Sequence, residues 1–236
     1  MSPYAVAPDG GEVRLGLHVR LEPGWHIYWK NSGDAGYPPA VTLSGAPLGD
    51  ARILWPAPER YELPGGLVAF GYEDEVVYPL RARWTARVSG RVEIAADVDY
   101  VVCEVDCIPF RAQLALAQPV GEEPAPDPRA APLLAGWEAR VPRAVEELAG
   151  VETRGMLRRR GGAPVLEVWV DGIEPAAAGA GLFFEPHEEL ELGRPEARAT
   201  DEGVAWRVPV SPLQADRPLP ERAVLAWTAT GLARGG

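Results

Sequence analysis

The chain has 236 residues, 47% of them apolar, enough for one large or two modest hydrophobic cores. Its 34 acidic side chains outnumber 23 basic ones, and the net charge of −11 argues against nucleic acid or an anionic membrane surface as partners. No apolar run approaches the roughly 18 residues that span a bilayer. The opening Met1-Ser-Pro-Tyr4 lacks the regions of a signal peptide, which leaves either a cytosolic chain or a targeting segment outside this sequence.

From the N-terminus, Val13, Leu15, Leu17, Val19 and Leu21 alternate with Glu12, Arg14, His18, Arg20 and Glu22, the period of a half-buried strand. Trp25, Ile27 and Trp29 continue on one face, with His26, Tyr28 and Lys30 on the other. Further strands are expected near 51–55, 67–72 and 76–86, punctuated by glycine and proline. Short strands with such breaks predict an all-β sandwich.

The only two cysteines, Cys103 and Cys107, follow next. Val92, Ile94, Ala96, Val98, Tyr100 and Val102 form one apolar face of the entering strand, while Glu93, Asp97, Asp99 and Cys103 fall on the other. After Glu104-Val105-Asp106, the residues Ile108, Phe110, Ala112, Leu114 and Leu116 are apolar, and Cys107, Pro109, Arg111 and Gln113 share the opposite face. A three-residue loop pairs Tyr100 with Phe110, Val102 with Ile108, Asp99 with Arg111 and Cys103 with Cys107. A disulfide needs Cα atoms about 4.4–6.8 Å apart. Four residues along one straight strand span roughly 13 Å, so only a hairpin or a helical turn can join these two. The alternation on both sides and Pro109 argue against the helix. Proline also places this arm at a sheet edge or a bulge. Both sulfurs are therefore expected on the open, polar face of a hairpin tip. Glu104, Asp106, Asp97 and Asp99 surround them with negative charge, which disfavours a thiolate. A lone, closely spaced pair also favours an oxidising compartment.

Gln118–Pro132 is proline-rich and acidic and predicts a linker. A helix broken at Pro142 is expected within Leu133–Ala149. Strands follow at Val165–Val170, Gly181–Phe184, Val204–Val210 and Ala223–Thr230. The expected domains are 1–118, a linker at 119–132, and a second β-sandwich over 133–236.

Two segments carry a family resemblance: Gly24-Trp-His-Ile-Tyr-Trp-Lys-Asn-Ser-Gly-Asp-Ala-Gly-Tyr-Pro38 and Val102-Cys-Glu-Val-Asp-Cys-Ile-Pro109. Together they resemble the N-terminal periplasmic region of DsbD-type thiol:disulfide interchange proteins, in the branch of the suppressor of copper sensitivity proteins. The match covers about the first 120 residues, and Leu182-Phe-Phe-Glu-Pro186 is the point of contact for the second domain. Ser32 stands where that family's segment has proline. The resemblance implies two immunoglobulin-like domains in tandem, the first a protein-disulfide reductase module with Cys103 and Cys107 as its catalytic dithiol. It implies a thioredoxin-like donor domain, periplasmic thioredoxin-fold substrate proteins, no cofactor, and membrane association only through a segment absent here. Cys107 is expected to be the sulfur attacked by partners. Within Gly65–Glu75, Phe70 is the expected covering ring of a cap, with Tyr72 beside it and Gly65, Gly66 and Gly71 letting it swing; the alternative is an ordinary hairpin with Phe70 in the core. His26 and Tyr28 are candidate lining residues.

The branch also implies a link to copper tolerance. The histidines His18, His26 and His187 are scattered, however, and no Cys/His cluster has metal-site spacing. A reduced dithiol could take soft Cu(I), which would be incidental to exchange, and no metal site is assigned. The competing reading is a non-catalytic binding or adaptor module of immunoglobulin-like build whose disulfide only pins a short loop.

Overall fold

Alternating apolar residues build two facing sheets in the first part of the chain. The computed structural model describes residues 11–121, 125–174, 179–214, 218–220 and 225–231. The chain divides into two compact units, Met1–Val141 and Pro142–Gly236. The first holds β1 (Glu12–Arg20), β2 (His26–Gly33), β3 (Ala40–Ser44), β4 (Arg52–Ile53), β5 (Glu59–Glu62), β6 (Val68–Glu73), β7 (Glu75–Arg83), β8 (Gly90–Cys103) and β9 (Cys107–Val120). One sheet has the order β1-β7-β4, and the other runs β3-β8-β2-β6-β5 with β9 paired to β8.

Val13, Leu15, Tyr78 and Leu80 of the first sheet are buried, as are Ile27, Trp29, Ile94 and Val98 of the second. Each such side chain contributes about 1.5–3 kcal/mol through removal from water. Tyr78 ties the layers together: its hydroxyl donates to the backbone oxygen of Tyr28 at 2.8 Å. This is an immunoglobulin-like sandwich. Among the described residues β9 pairs only with β8, so Pro109 sits on an edge strand, where its missing N–H is tolerated.

The helix overlaps the segment that the sequence predicts but begins earlier and belongs to the first unit. It is α1 (Ala130–Glu138), followed by a single 3₁₀ turn at Val145–Glu147. Asp127 starts it by accepting the N–H groups of Arg129 and Ala130 at 2.9 and 2.7 Å, and these bonds hold its carboxyl below the usual range. Expected at the entrance to the second domain, α1 instead closes the first unit. Leu134 and Trp137 are buried, and the Trp137 ring meets Tyr72 edge-on at 6.3 Å. Glu138 pairs with Arg14 and Arg81. The boundary therefore falls after Val141 rather than at residue 132.

Burial alone would raise the Glu138 carboxyl, but hydrogen bonds and charge from Arg14 and Arg81 outweigh it and hold the group below its ordinary range. Its stabilisation is thus present above the unfolded-state value and lost as pH falls through the lower folded one. Glu138→Ala is expected to destabilise the first unit by about 1–3 kcal/mol at neutral pH, because it leaves two partly buried guanidinium groups without their shared acceptor. Denaturant titrations of the two proteins should converge as the pH is lowered below the carboxylate range; a gap that persists there would refute the assignment.

The second unit holds β10 (Glu152–Arg160), β11 (Ala163–Asp171), β12 (Gly181–Phe184), β13 (Leu190–Leu192), β14 (Glu196–Ala199), β15 (Gly203–Pro212) and β16 (Trp227–Thr230). One sheet runs β10-β11-β15-β13 with β14 also on β15, and β12 pairs with β16. Leu166, Val168, Val170, Val204, Trp206 and Val208 pack against Leu182 and Phe184 in one core, which makes this unit a second β-sandwich. Part of the strand expected at Ala223–Thr230 lies outside the described residues; β16 covers its end.

Candidate functional site

The β8–β9 hairpin carries the cysteines in the register that alternation predicts. Asp99 opposes Arg111, Tyr100 opposes Phe110, Val102 opposes Ile108, and Cys103 opposes Cys107. The two cysteines form a disulfide with Cα atoms 4.2 Å apart across the tip. Stacked rings of Tyr100 and Phe110, with centroids 5.6 Å apart, support the outer arm.

The expected negative field is partly cancelled. Arg111 donates to both carboxylate oxygens of Asp99, at 2.7 and 3.1 Å, and this pairing lowers the Asp99 carboxyl. Gln113 donates to Asp97 at 2.9 Å. Glu104 and Asp106 are the exposed acids of the loop itself.

Strand parity puts both sulfurs on the outer face of the sheet, away from the sandwich interior, but that face is not open. Cys107 is exposed, whereas Cys103 is only 2% exposed. Cys103 belongs to a small second core with Tyr28, Ala69 and Val101, against which Tyr61 and Leu63 pack. Cys107 takes the open face that alternation predicts, whereas Cys103 takes the same face but is covered there. The covering comes from β5 and β6, which are distant in sequence.

β2 brings two further groups to this face. His26 is the ladder partner of Cys103, and Tyr28 follows two residues on. The Tyr28 hydroxyl donates to Cys103 Sγ at 2.6 Å and lies 3.4 Å from Cys107 Sγ. Burial pushes this phenol above its ordinary value, so it remains a protonated donor. His26 is 3% exposed, stacks on Tyr61 at 5.5 Å and meets Tyr28 edge-on at 5.3 Å. Its burial lowers its affinity for a proton and favours the neutral ring. The Tyr61 hydroxyl is pushed well up, first by burial and then by the carboxylates of Glu59 and Glu73. Of the two lining residues proposed from sequence, Tyr28 reaches both sulfurs, and His26 packs beside it as the ladder partner of Cys103.

The cap residues do not. Tyr72 is the ladder partner of Ile27, which fixes the parity of β6. Tyr72 then points into the sandwich, where its hydroxyl donates to Pro56 O at 2.7 Å and its ring meets Tyr78. Phe70 shares that face, under the Arg60 guanidinium at 4.9 Å, while Ala69 takes the cysteine face. Gly71 is a position of close approach rather than a hinge: a Cβ there would lie 2.0 Å from Ile27 O. Tyr61 and Leu63 are the cover that sequence reasoning missed. Their only signal is apolar spacing just ahead of Pro64-Gly-Gly66.

The segment with Ser32 in place of proline keeps its turn. Ser32 Oγ donates to Gly36 O at 3.1 Å, and the Gly33 N–H donates to Asn31 Oδ1 at 3.0 Å. Asp34 accepts from the Val68 N–H at 2.8 Å. Among the described residues no group of three or more His, Cys, Asp or Glu side chains is placed to hold a metal ion.

An immunoglobulin-like sandwich with a disulfide at an edge hairpin, one sulfur outward and the other beneath a tyrosine hydroxyl, is the build of a thiol:disulfide exchange module. The chain belongs to the family of the N-terminal region of the thiol:disulfide interchange protein DsbD, whose model matches residues 2–119. Among solved structures, the N-terminal periplasmic domain of ScsB from Proteus mirabilis is similar in fold. The TM-score is 0.73 at 20% identity, over 98% of this chain and 92% of that one. The N-terminal domain of Neisseria meningitidis DsbD in its reduced form also matches, with 19% identity and a TM-score of 0.29 over 53% of this chain and 90% of that one. No curated protein sequence matches.

Proposed function

We propose that the first unit is a periplasmic protein-disulfide reductase module that takes electrons from a thioredoxin-like donor domain and passes them to thioredoxin-fold substrate proteins. The observation that carries this reading is the asymmetry of the pair: Cys107 faces solvent, and Cys103 lies buried with the Tyr28 hydroxyl on its sulfur. A bond that only pins a loop has no use for a hydroxyl held against its buried sulfur.

The chemistry follows from that arrangement. The donor's thiolate attacks Cys107 Sγ, the Cys103–Cys107 bond breaks, and its electron pair leaves on Cys103. Tyr28 O–H stabilises the charge developing there, and a proton from solvent completes the thiol. The donor's second thiolate then displaces Cys107. The donor is left as a disulfide, and the pair has gained two electrons and two protons. In the second half, the Cys107 thiolate attacks the substrate's disulfide and Cys103 resolves the mixed disulfide.

The family membership and the similarity to a periplasmic domain support the compartment. No helix among the described residues is long and apolar enough to cross a membrane. The reading is tested by equilibrating the protein in thiol redox buffers and with reduced thioredoxin. A potential above about −300 mV with rapid exchange is expected of a shuttle; a value below that, with no exchange, would make the bond structural.

A further inference from the structure

We propose that the segment Asn31–Gly36 is a positioning element for the redox pair, with Gly36 as the residue that sets the Tyr28 hydroxyl on Cys103 Sγ. This inference rests on the exchange reading above and names a part of its machinery outside the cysteine hairpin.

Space beside Tyr28 is the first constraint. Gly36 has φ +70°, and a Cβ built there would lie 2.2 Å from both Cε2 and Cζ of Tyr28 and 2.7 Å from its hydroxyl. Real Cβ atoms do not approach so closely. Only glycine lets the backbone lie flat on the hydroxyl end of this ring, and the positive φ independently favours it. The outer side of Tyr28 is therefore walled by main chain, and the ring cannot swing away from the sulfurs without displacing that wall.

The wall is anchored on two sides. Ser32 Oγ holds Gly36 O from within the turn, at 3.1 Å. Asp34 ties the turn to β6 through its N–H to Val68 O and its carboxylate to the Val68 N–H, both at 2.8 Å. β6 is also the strand that supplies Ala69 to the cluster around Cys103. The segment, the cover and the buried sulfur thus form one connected piece. A donor on a freely rotating ring would reach Cys103 only part of the time; a ring held by main chain presents its O–H without reorganisation as the leaving thiolate develops.

The position predicts an effect whose sign differs from that of ordinary destabilisation. Loosening the fold exposes a disulfide and speeds its reduction by a small thiol. Moving Tyr28 off Cys103 removes stabilisation of the leaving sulfur and slows it. In the oxidised full chain, Tyr28→Phe is expected to slow reduction by dithiothreitol about tenfold, the scale of one hydrogen bond to a developing charge. Gly36→Ala is expected to slow it by a similar factor. The double variant should be no slower than Tyr28→Phe alone, since both changes remove the same contact. Should Gly36→Ala fail to fold, Ser32→Ala and its combination with Tyr28→Phe carry the same test, with slowing of about twofold to threefold from loss of one neutral hydrogen bond. Faster reduction in the single variants, an unchanged rate, or effects that multiply in the double variant would overturn the proposal. Reduced thioredoxin is run in parallel with the unsubstituted protein. If it fails to exchange while the dithiothreitol pattern holds, the shuttle reading falls and the positioning role stands; if exchange is fast and the pattern is absent, the reverse follows.

Discussion

With Cys103 replaced by alanine, Cys107 is expected to react with a maleimide at the rate of an exposed thiol; with Cys107 replaced, Cys103 should react slower by about two orders of magnitude, through local opening only. The difference follows from placement. Cys107 is exposed at the start of an edge strand, while Cys103 is 2% exposed beneath Tyr28, Tyr61 and Leu63. The same contrast should appear in partner capture. When the lone cysteine is activated as an aromatic mixed disulfide, a thioredoxin lacking its resolving cysteine should accumulate covalently on Cys107 and not on Cys103. The unsubstituted disulfide should transfer electrons, and either single variant should lose turnover completely, because the mixed disulfide cannot be resolved. Equal labelling of the two cysteines would remove the asymmetry on which the exchange reading rests.

The hairpin was legible in the sequence because its information is local. Fourteen ladder pairs between β8 and β9 follow one period-two pattern, and a three-residue loop sets their register. Parity also tells which face Cys103 takes. It cannot tell whether that face is covered. The cover is contributed by Tyr61, Leu63 and Ala69, through pairing of β5 with β6 and of β6 with β2. Nothing in the spacing of Cys103 and Cys107 encodes those contacts.

Other differences share this cause. α1 has no local feature that assigns it to either unit; its placement depends on Glu138 meeting Arg14 across 124 positions. The family pattern makes Phe70 a covering ring, yet the pairing of Tyr72 with Ile27 turns it inward. β10 shows no strand signal in the sequence because all nine of its residues are exposed, which removes the alternation that marks a half-buried strand. A signal was present there in Gly161-Gly162, a two-residue turn with φ of 57° and 87° placed directly before the apolar β11.

The cover itself gives the second large effect. In a Cys107→Ala background, Tyr61→Ala and Leu63→Ala are each expected to raise maleimide labelling of Cys103 by tenfold or more, on the order of what opening a buried thiol to solvent produces. Both side chains pack against the cluster that contains Cys103. Truncating either also costs stability, by about 1–3 kcal/mol for half-buried groups of this size. That loss alone would speed labelling, so a control is needed with a similar cost and a different location. Phe70→Ala supplies it: Phe70 is half-buried on the opposite face of the neighbouring strand β6, under Arg60. It should lower stability comparably and leave Cys103 labelling within about twofold of its parent, because local protection depends on which contacts close over a group rather than on global stability. Were Phe70→Ala to unmask Cys103 as strongly as Tyr61→Ala, protection would be a property of the whole sandwich. If the two separate as expected, the residues shielding this pair are those on the cysteine face of β5 and β6, and partner binding can expose Cys103 by displacing two side chains without disturbing the sandwich core.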